Sequence, residues 1–204
     1  MITKLNLYKE SILVPRNLEG RKDKLKQQNL KLLSQEIIGD DVTNMYGNLD
    51  IDESFDFDKS LYKFIKVKQI NGSVKIKLDY IPEWLENVVI NLDFYCGRNE
   101  ITTLKGCPKK INGSFYCNNN LLQSLEYGPE FVGRDYTCYE NGLTTLKGCP
   151  KRINGDFRCQ FNILTSLEEG PDFVKGSYYC RYNKIEFTKE YIQSLCDVTG
   201  NIYN

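Results

Sequence analysis

The chain of 204 residues has no histidine. That absence excludes Ser-His-Asp and Cys-His nucleophilic centres and every metal site built on imidazole. Eight cysteines are present but no CxxC pair occurs, which removes the common spacing of zinc and dithiol sites. No apolar run approaches the roughly 20 residues a bilayer-crossing helix needs. Excess charge of either sign is missing as well: 27 Lys plus Arg stand against 27 Asp plus Glu. Bulk charge therefore demands neither nucleic acid nor a membrane as partner. The first residues carry Lys4, Lys9 and Glu10 and no long apolar core, so no secretory signal is expected. The expected location is the cytoplasm, or a host's cytoplasm if the protein is viral.

What the sequence does have is a phrase repeated five times. INLDFYCGRNEITTLKGCP begins at Ile90, INGSFYCNNNLLQSLEYGP at Ile111 and VGRDYTCYENGLTTLKGCP at Val132. INGDFRCQFNILTSLEEGP follows at Ile153 and VKGSYYCRYNKI at Val174, each start 21 residues after the last. A fixed period of this length means stacked supersecondary units. One column of the stack is aromatic (Phe94, Phe115, Tyr136, Phe157, Tyr178) and another is cysteine (Cys96, Cys117, Cys138, Cys159, Cys180). The two are two residues apart, so on a strand they share one face, and both suit burial. The cysteines, with Cys107 and Cys149 at a second repeat position and Cys196 alone, are read as reduced interior thiols, with no metal and no cofactor. A third column is Asn99, Asn120, Asn141, Asn162 and Asn183, suited to bonding exposed backbone groups at the turn leaving the strand and to serving the neighbouring rung. Ile101, Leu122, Leu143, Leu164 and Ile185, then Leu104, Leu125, Leu146 and Leu167, complete the expected interior. On the flank, Lys105, Glu126, Lys147 and Glu168 alternate in sign, as do Lys109, Glu130, Lys151 and Asp172. That points to a 42-residue pair of rungs as the unit of duplication.

The order apolar, x, Cys, x, x, Asn, x, Leu, x, x, Leu over residues 90–185 resembles a leucine-rich repeat. Its length and Gly-Pro back are similar to the short repeats of bacterial effectors and phage-encoded proteins. The resemblance implies an α/β right-handed solenoid with one short parallel strand per rung, about eight strands in all. It also implies an irregular Gly-Pro convex side, binding through the strand face and no enzymatic activity.

The remaining chain fits around that core. Residues 1–41 read as an arm and a helical cap, with a partly amphipathic helix over 16–38. Residues 42–187 read as the solenoid, its first rungs degraded copies: MYGNLDI at 45–51 and INGSVKI at 70–76. YIPEWLENV at 80–88 suggests a short helix. Residues 188–204 read as a helix (TKEYIQSLC) and a closing strand near Ile202. Capping is expected because an open solenoid end exposes core and an unpaired strand edge.

Residues between aromatic and cysteine must point away from the core: Asp50, Lys75, Tyr95, Tyr116, Thr137, Arg158, Tyr179 and Tyr203. The two positions past the cysteine are expected to be exposed too. The candidate partner-binding set is Tyr95, Arg98, Tyr116, Tyr139, Arg158, Phe161, Tyr179, Arg181 and Tyr182. Exposed aromatics interleaved with arginine have the composition of interface hot spots; the competing reading is that the tyrosines only stabilise the sheet by cross-strand packing. The expected function is a non-catalytic module that binds an intracellular protein. The resemblance adds the notion of a phage or bacterial inhibitor of a host defence or regulatory protein. The alternative is single-stranded nucleic acid or ribonucleoprotein, held by the same aromatics and by the basic 16–31 segment.

Overall fold

The computed structural model of the protein describes residues 44–52 and 67–204. The sequence-predicted arm and the 16–38 helix with its basic segment lie outside the described residues. Within them the chain is a parallel β-solenoid. Each rung carries two short strands, not the one that was expected. The first strands form an eight-stranded parallel sheet (sheet 1) and the second strands another (sheet 2). In the regular rungs the strands are only two residues long, as in Lys110–Ile111 followed by Phe115–Tyr116. They are separated by the three-residue corner Asn112-Gly113-Ser114. The α/β expectation also fails for the described residues. Helix there is confined to a 3-10 turn at Glu83–Leu85 and to α1, Lys189–Leu195, whose Thr188 side chain caps the Tyr191 N–H.

The stacking register follows the repeat. Met45 pairs with Ile70, Ile70 with Ile90, Ile90 with Ile111, and so on to Val174 with Val198. Phe94, Phe115, Tyr136, Phe157 and Tyr178 are buried in one continuous core with all eight cysteines, none of them disulfide-bonded. Burial pushes every one of these thiols above its ordinary value, up to about 12 for Cys180 and Cys196. They therefore stay protonated and inert. The expected interior holds except at its last position: Ile185 is 47% exposed, because its rung breaks at Thr188 and α1 does not cover it.

Two side-chain ladders join the rungs. The asparagine ladder does what its position suggested. Asn162 donates from Nδ2 to the carbonyls of Cys138 (3.1 Å), Cys159 (3.1 Å) and Gln160 (3.3 Å). Its Oδ1 accepts from the backbone N–H of Asn141 and Leu143, both at 3.1 Å. One buried amide thus satisfies backbone groups on two rungs where strand bonding has stopped. The second ladder sits at the corner, one residue before the inward residue that opens each strand of sheet 2: Asn48, Ser73, Asp93, Ser114, Asp135, Asp156 and Ser177. Each accepts the backbone N–H of the equivalent residue on the next rung, for example Asp93 Oδ1 from Ser114 at 2.8 Å and Asp156 Oδ1 from Ser177 at 2.8 Å. Rungs approach so closely here that a Cβ at Gly113 would lie 2.4 Å from Asp93 Oδ1 and 2.5 Å from the Leu92 carbonyl. Only glycine fits that contact.

The two-rung period reaches the core. On the back of the solenoid the residue before proline is Ile81, Cys107, Gly128, Cys149 or Gly170, and the next rung supplies Phe94, Phe115, Tyr136, Phe157 or Tyr178. A side chain is followed by phenylalanine, a glycine by tyrosine. Volume is the reason: a Cβ on Gly128 would lie 2.9 Å from the Leu125 carbonyl and 3.2 Å from Leu104 Cδ1 and would already touch the Tyr136 hydroxyl at 3.4 Å, so the sulfur of a cysteine would have to share the hydroxyl's space. Outside, the alternating charges meet in part, with Lys147 on Glu126 (2.8 Å) and Lys151 on Asp172 (3.2 Å). Exposed as they are, such pairs contribute little beyond register.

Candidate functional site

The outward column of sheet 2 is Asp50, Lys75, Tyr95, Tyr116, Thr137, Arg158, Tyr179 and Tyr203, as the alternation required. The side chains do not form one continuous strip. Tyr95 and Tyr116 stack at 4.8 Å with rings 2° from parallel. Further along, Arg158 lies 4.2 Å over the Tyr179 ring, which stacks on Tyr203 at 4.5 Å. Between the two groups stands Thr137, only 3% exposed, its short side chain sunk between its neighbours Tyr116 and Arg158. The column is a pair of aromatic stacks with a notch.

The corner ladder holds part of this face in place. Asp93 uses Oδ1 for Ser114 and Oδ2 to accept the Tyr95 hydroxyl at 2.9 Å. Desolvation first, then that hydrogen bond, pushes Tyr95 up to about 12. Asp156 likewise splits its oxygens, Oδ1 to Ser177 and Oδ2 to Arg158 Nη2 at 2.7 Å. Where the corner residue is serine, at 114 and 177, there is no second oxygen. The tyrosine two residues on is held by stacking instead.

Past the cysteine the expectation divides. The first position is mostly covered: Asn118 is buried and Tyr139 and Gln160 half-buried, while Arg181 is exposed and donates from Nε to the Asn204 carbonyl at 3.1 Å. The second position is left-handed in every regular rung: Arg98 (φ 64), Asn119 (55), Glu140 (51), Phe161 (55) and Tyr182 (57). Asparagine tolerates this conformation; a bulky ring there is strained, at a cost of roughly 1–2 kcal/mol. Phe161 and Tyr182 are nonetheless 46% and 68% exposed, and they stack on each other at 4.6 Å. Ile163 adds exposed apolar surface close by in sequence.

Of the nine candidates, the structure therefore brings together Tyr95 with Tyr116, Arg158 with Tyr179, and Phe161 with Tyr182. Arg181 lies 5.6 Å over Tyr203, a residue the candidate set omitted. Arg98 and Tyr139 join none of these stacks. The set also missed the outer column of sheet 1. Its signal was the residue before each repeat's leading Ile or Val, which runs Lys110, Phe131, Arg152, Phe173.

Among the described residues no three His, Cys, Asp or Glu side chains are grouped to hold a metal, and no helix is long and apolar enough to cross a membrane. No known family model matches the chain, and no curated protein or solved structure matches it either.

Proposed function

We propose that the chain is a non-catalytic binding module that grips an intracellular protein through the outer face of sheet 2. The Phe161–Tyr182 pair carries this reading. The left-handed turn at the end of sheet 2 is common to every regular rung, but placing large rings on it, half in water, serves no packing need, and bulky residues in that conformation collect at functional surfaces. Arg158, fixed by Asp156 and spread over Tyr179, supplies the preorganised arginine-aromatic chemistry of an interface hot spot. The buried, protonated thiols support a passive role over a nucleophilic one. By analogy with short leucine-rich repeats of phage and bacterial proteins, the partner is a host defence or regulatory protein that the module inhibits.

The test compares wild type with Phe161→Ala/Tyr182→Asn and with Asp156→Ser, which keeps the corner acceptor used on other rungs but frees Arg158. Each is used as bait in host lysate after its thermal midpoint is checked. A partner retained by wild type and weakened at least about tenfold by both variants supports the reading. Identical capture by all three sinks it. Single-stranded nucleic acid retained in a mobility-shift assay, and lost with the same variants, would move the face to the alternative ligand class. The ring-on-ring stacking and the carboxylates of Asp93, Asp156 and Glu140 favour protein.

A further inference from the structure

Sheet 1 has its own outward column, which from its third strand onward runs Val89, Lys110, Phe131, Arg152, Phe173, Asp197. Lys110 Nζ lies 5.7 Å from the Phe131 ring centre, and the Arg152 guanidinium lies 4.0 Å over Phe173. Cation and ring thus alternate over four consecutive rungs. In the neighbouring column, Lys109 is paired with Glu86 (3.8 Å) and Lys151 with Asp172 (3.2 Å). Among the described residues, Lys110 and Arg152 have no such carboxylate. Arg152 commits only its Nε, to Asn154 Oδ1 at 3.2 Å, which leaves its terminal amino groups for an outside acceptor. Phe131 stands 43% exposed between the two cations, with Glu130 the nearest acid in sequence.

The spacing selects the shape of what binds. Stacked strands lie about 4.8 Å apart, so one cation-ring pair recurs every ~9.6 Å. A polyproline II helix, three residues per turn at about 3.1 Å each, repeats every ~9.3 Å. An extended strand laid along the stack would repeat every ~6.7 Å and fall out of step within one pair. Proline rings dock on aromatic surface without ordering a flexible chain. We infer that the outer face of sheet 1 binds an acidic polyproline II segment of a partner protein. It runs along the stack with a carboxylate at every third residue, on Lys110 and Arg152, and prolines against Phe131 and the edge of Phe173 that Arg152 leaves open.

A fluorescein-labelled peptide of four Glu-Pro-Pro repeats tests this by fluorescence polarisation at low and moderate salt. Saturable binding is expected, weakened about tenfold or more by Arg152→Glu and by Phe131→Ala and less by Arg152→Gln. An isomeric peptide with its four glutamates clustered at one end should bind at least about fivefold more weakly, and a Lys-Pro-Pro repeat not at all. Both altered residues are exposed, and melting curves check each variant; Arg152→Gln decides the matter should the charge reversal destabilise the fold. Equal binding of the clustered peptide, indifference to both Arg152 variants, or no saturation by millimolar peptide each overturns the inference. So does displacement of the peptide by a dodecamer of thymidylate at lower concentration, which would assign the face to nucleic acid.

Discussion

At the scale of single residues, the core is a set of matched volumes. Tyr136 is wholly buried and its hydroxyl has no hydrogen-bond partner. It fills space that a cysteine takes up on alternate rungs. An unsatisfied buried hydroxyl costs roughly 1–3 kcal/mol, so Tyr136→Phe should be neutral or stabilise by about 1 kcal/mol in urea unfolding. Gly128→Cys alone should destabilise by about 1–3 kcal/mol through overpacking, and Tyr136→Phe should restore part of that loss, the remainder coming from Leu125 and Leu104. Additive effects in the double-mutant cycle would refute the matching. The inward rings and thiols were legible in the sequence because Phe94 and Cys96 stand two apart at every repeat. The Gly–Tyr and Cys–Phe matching was not, because its partners lie in different rungs and meet only once the register is known.

At the scale of elements, each rung is too short to hold itself. Strands of two residues bury little and bond only to their neighbours above and below, so the asparagine and corner ladders carry the backbone through the turns. Asn162→Ala removes the amide that three carbonyls and two N–H groups share, leaving several of them buried and unpaired. A loss of about 3 kcal/mol or more is expected from the urea midpoint. Asn99→Ala, nearer the N-terminal end, where one carbonyl (Ile76, 2.7 Å) takes the donor, should cost clearly less. Similar losses at both sites would refute this division of labour. Shortness also explains why sheet 1 escaped the sequence reading. A two-residue strand such as Lys110–Ile111 cannot show alternation, and the Asn-Gly-Ser corner that follows it reads as an ordinary loop. The outward columns were legible only where a three-residue frame, aromatic-x-cysteine, fixed direction. Beyond Cys96 or Cys117 that frame ends, so the left-handed turn and the burial of Asn118 were out of sight.

At the scale of the whole molecule, eight thiols held protonated by burial make stability depend on pH. Their folded-state values lie above the ordinary 9.0, as those of Cys107, Cys138 and Cys180 show, so the unfolded chain loses protons first as pH rises. Their contribution to stability is full below pH 9 and declines above it, until pH passes the folded values; the buried Tyr136 and Tyr178 hydroxyls, raised in the same way, add to the decline above pH 10. Each titrating thiol contributes about 1.4 kcal/mol per pH unit to that decline. Unfolding followed by far-UV circular dichroism should therefore set in steeply between pH 9 and 11, and Cys138→Ala/Cys159→Ala should flatten the slope. An unchanged slope would show that the thiols are not responsible.

The Cys–Phe and Gly–Tyr alternation also limits how a gene for this protein can grow or shrink. Removing residues 111–152 sets Cys107 beneath Phe157, a match already present elsewhere. Removing residues 111–131 alone sets Cys107 beneath Tyr136 and forces a collision. Length should therefore change cleanly in steps of 42 residues and poorly in steps of 21, so the longer deletion should melt at the higher temperature.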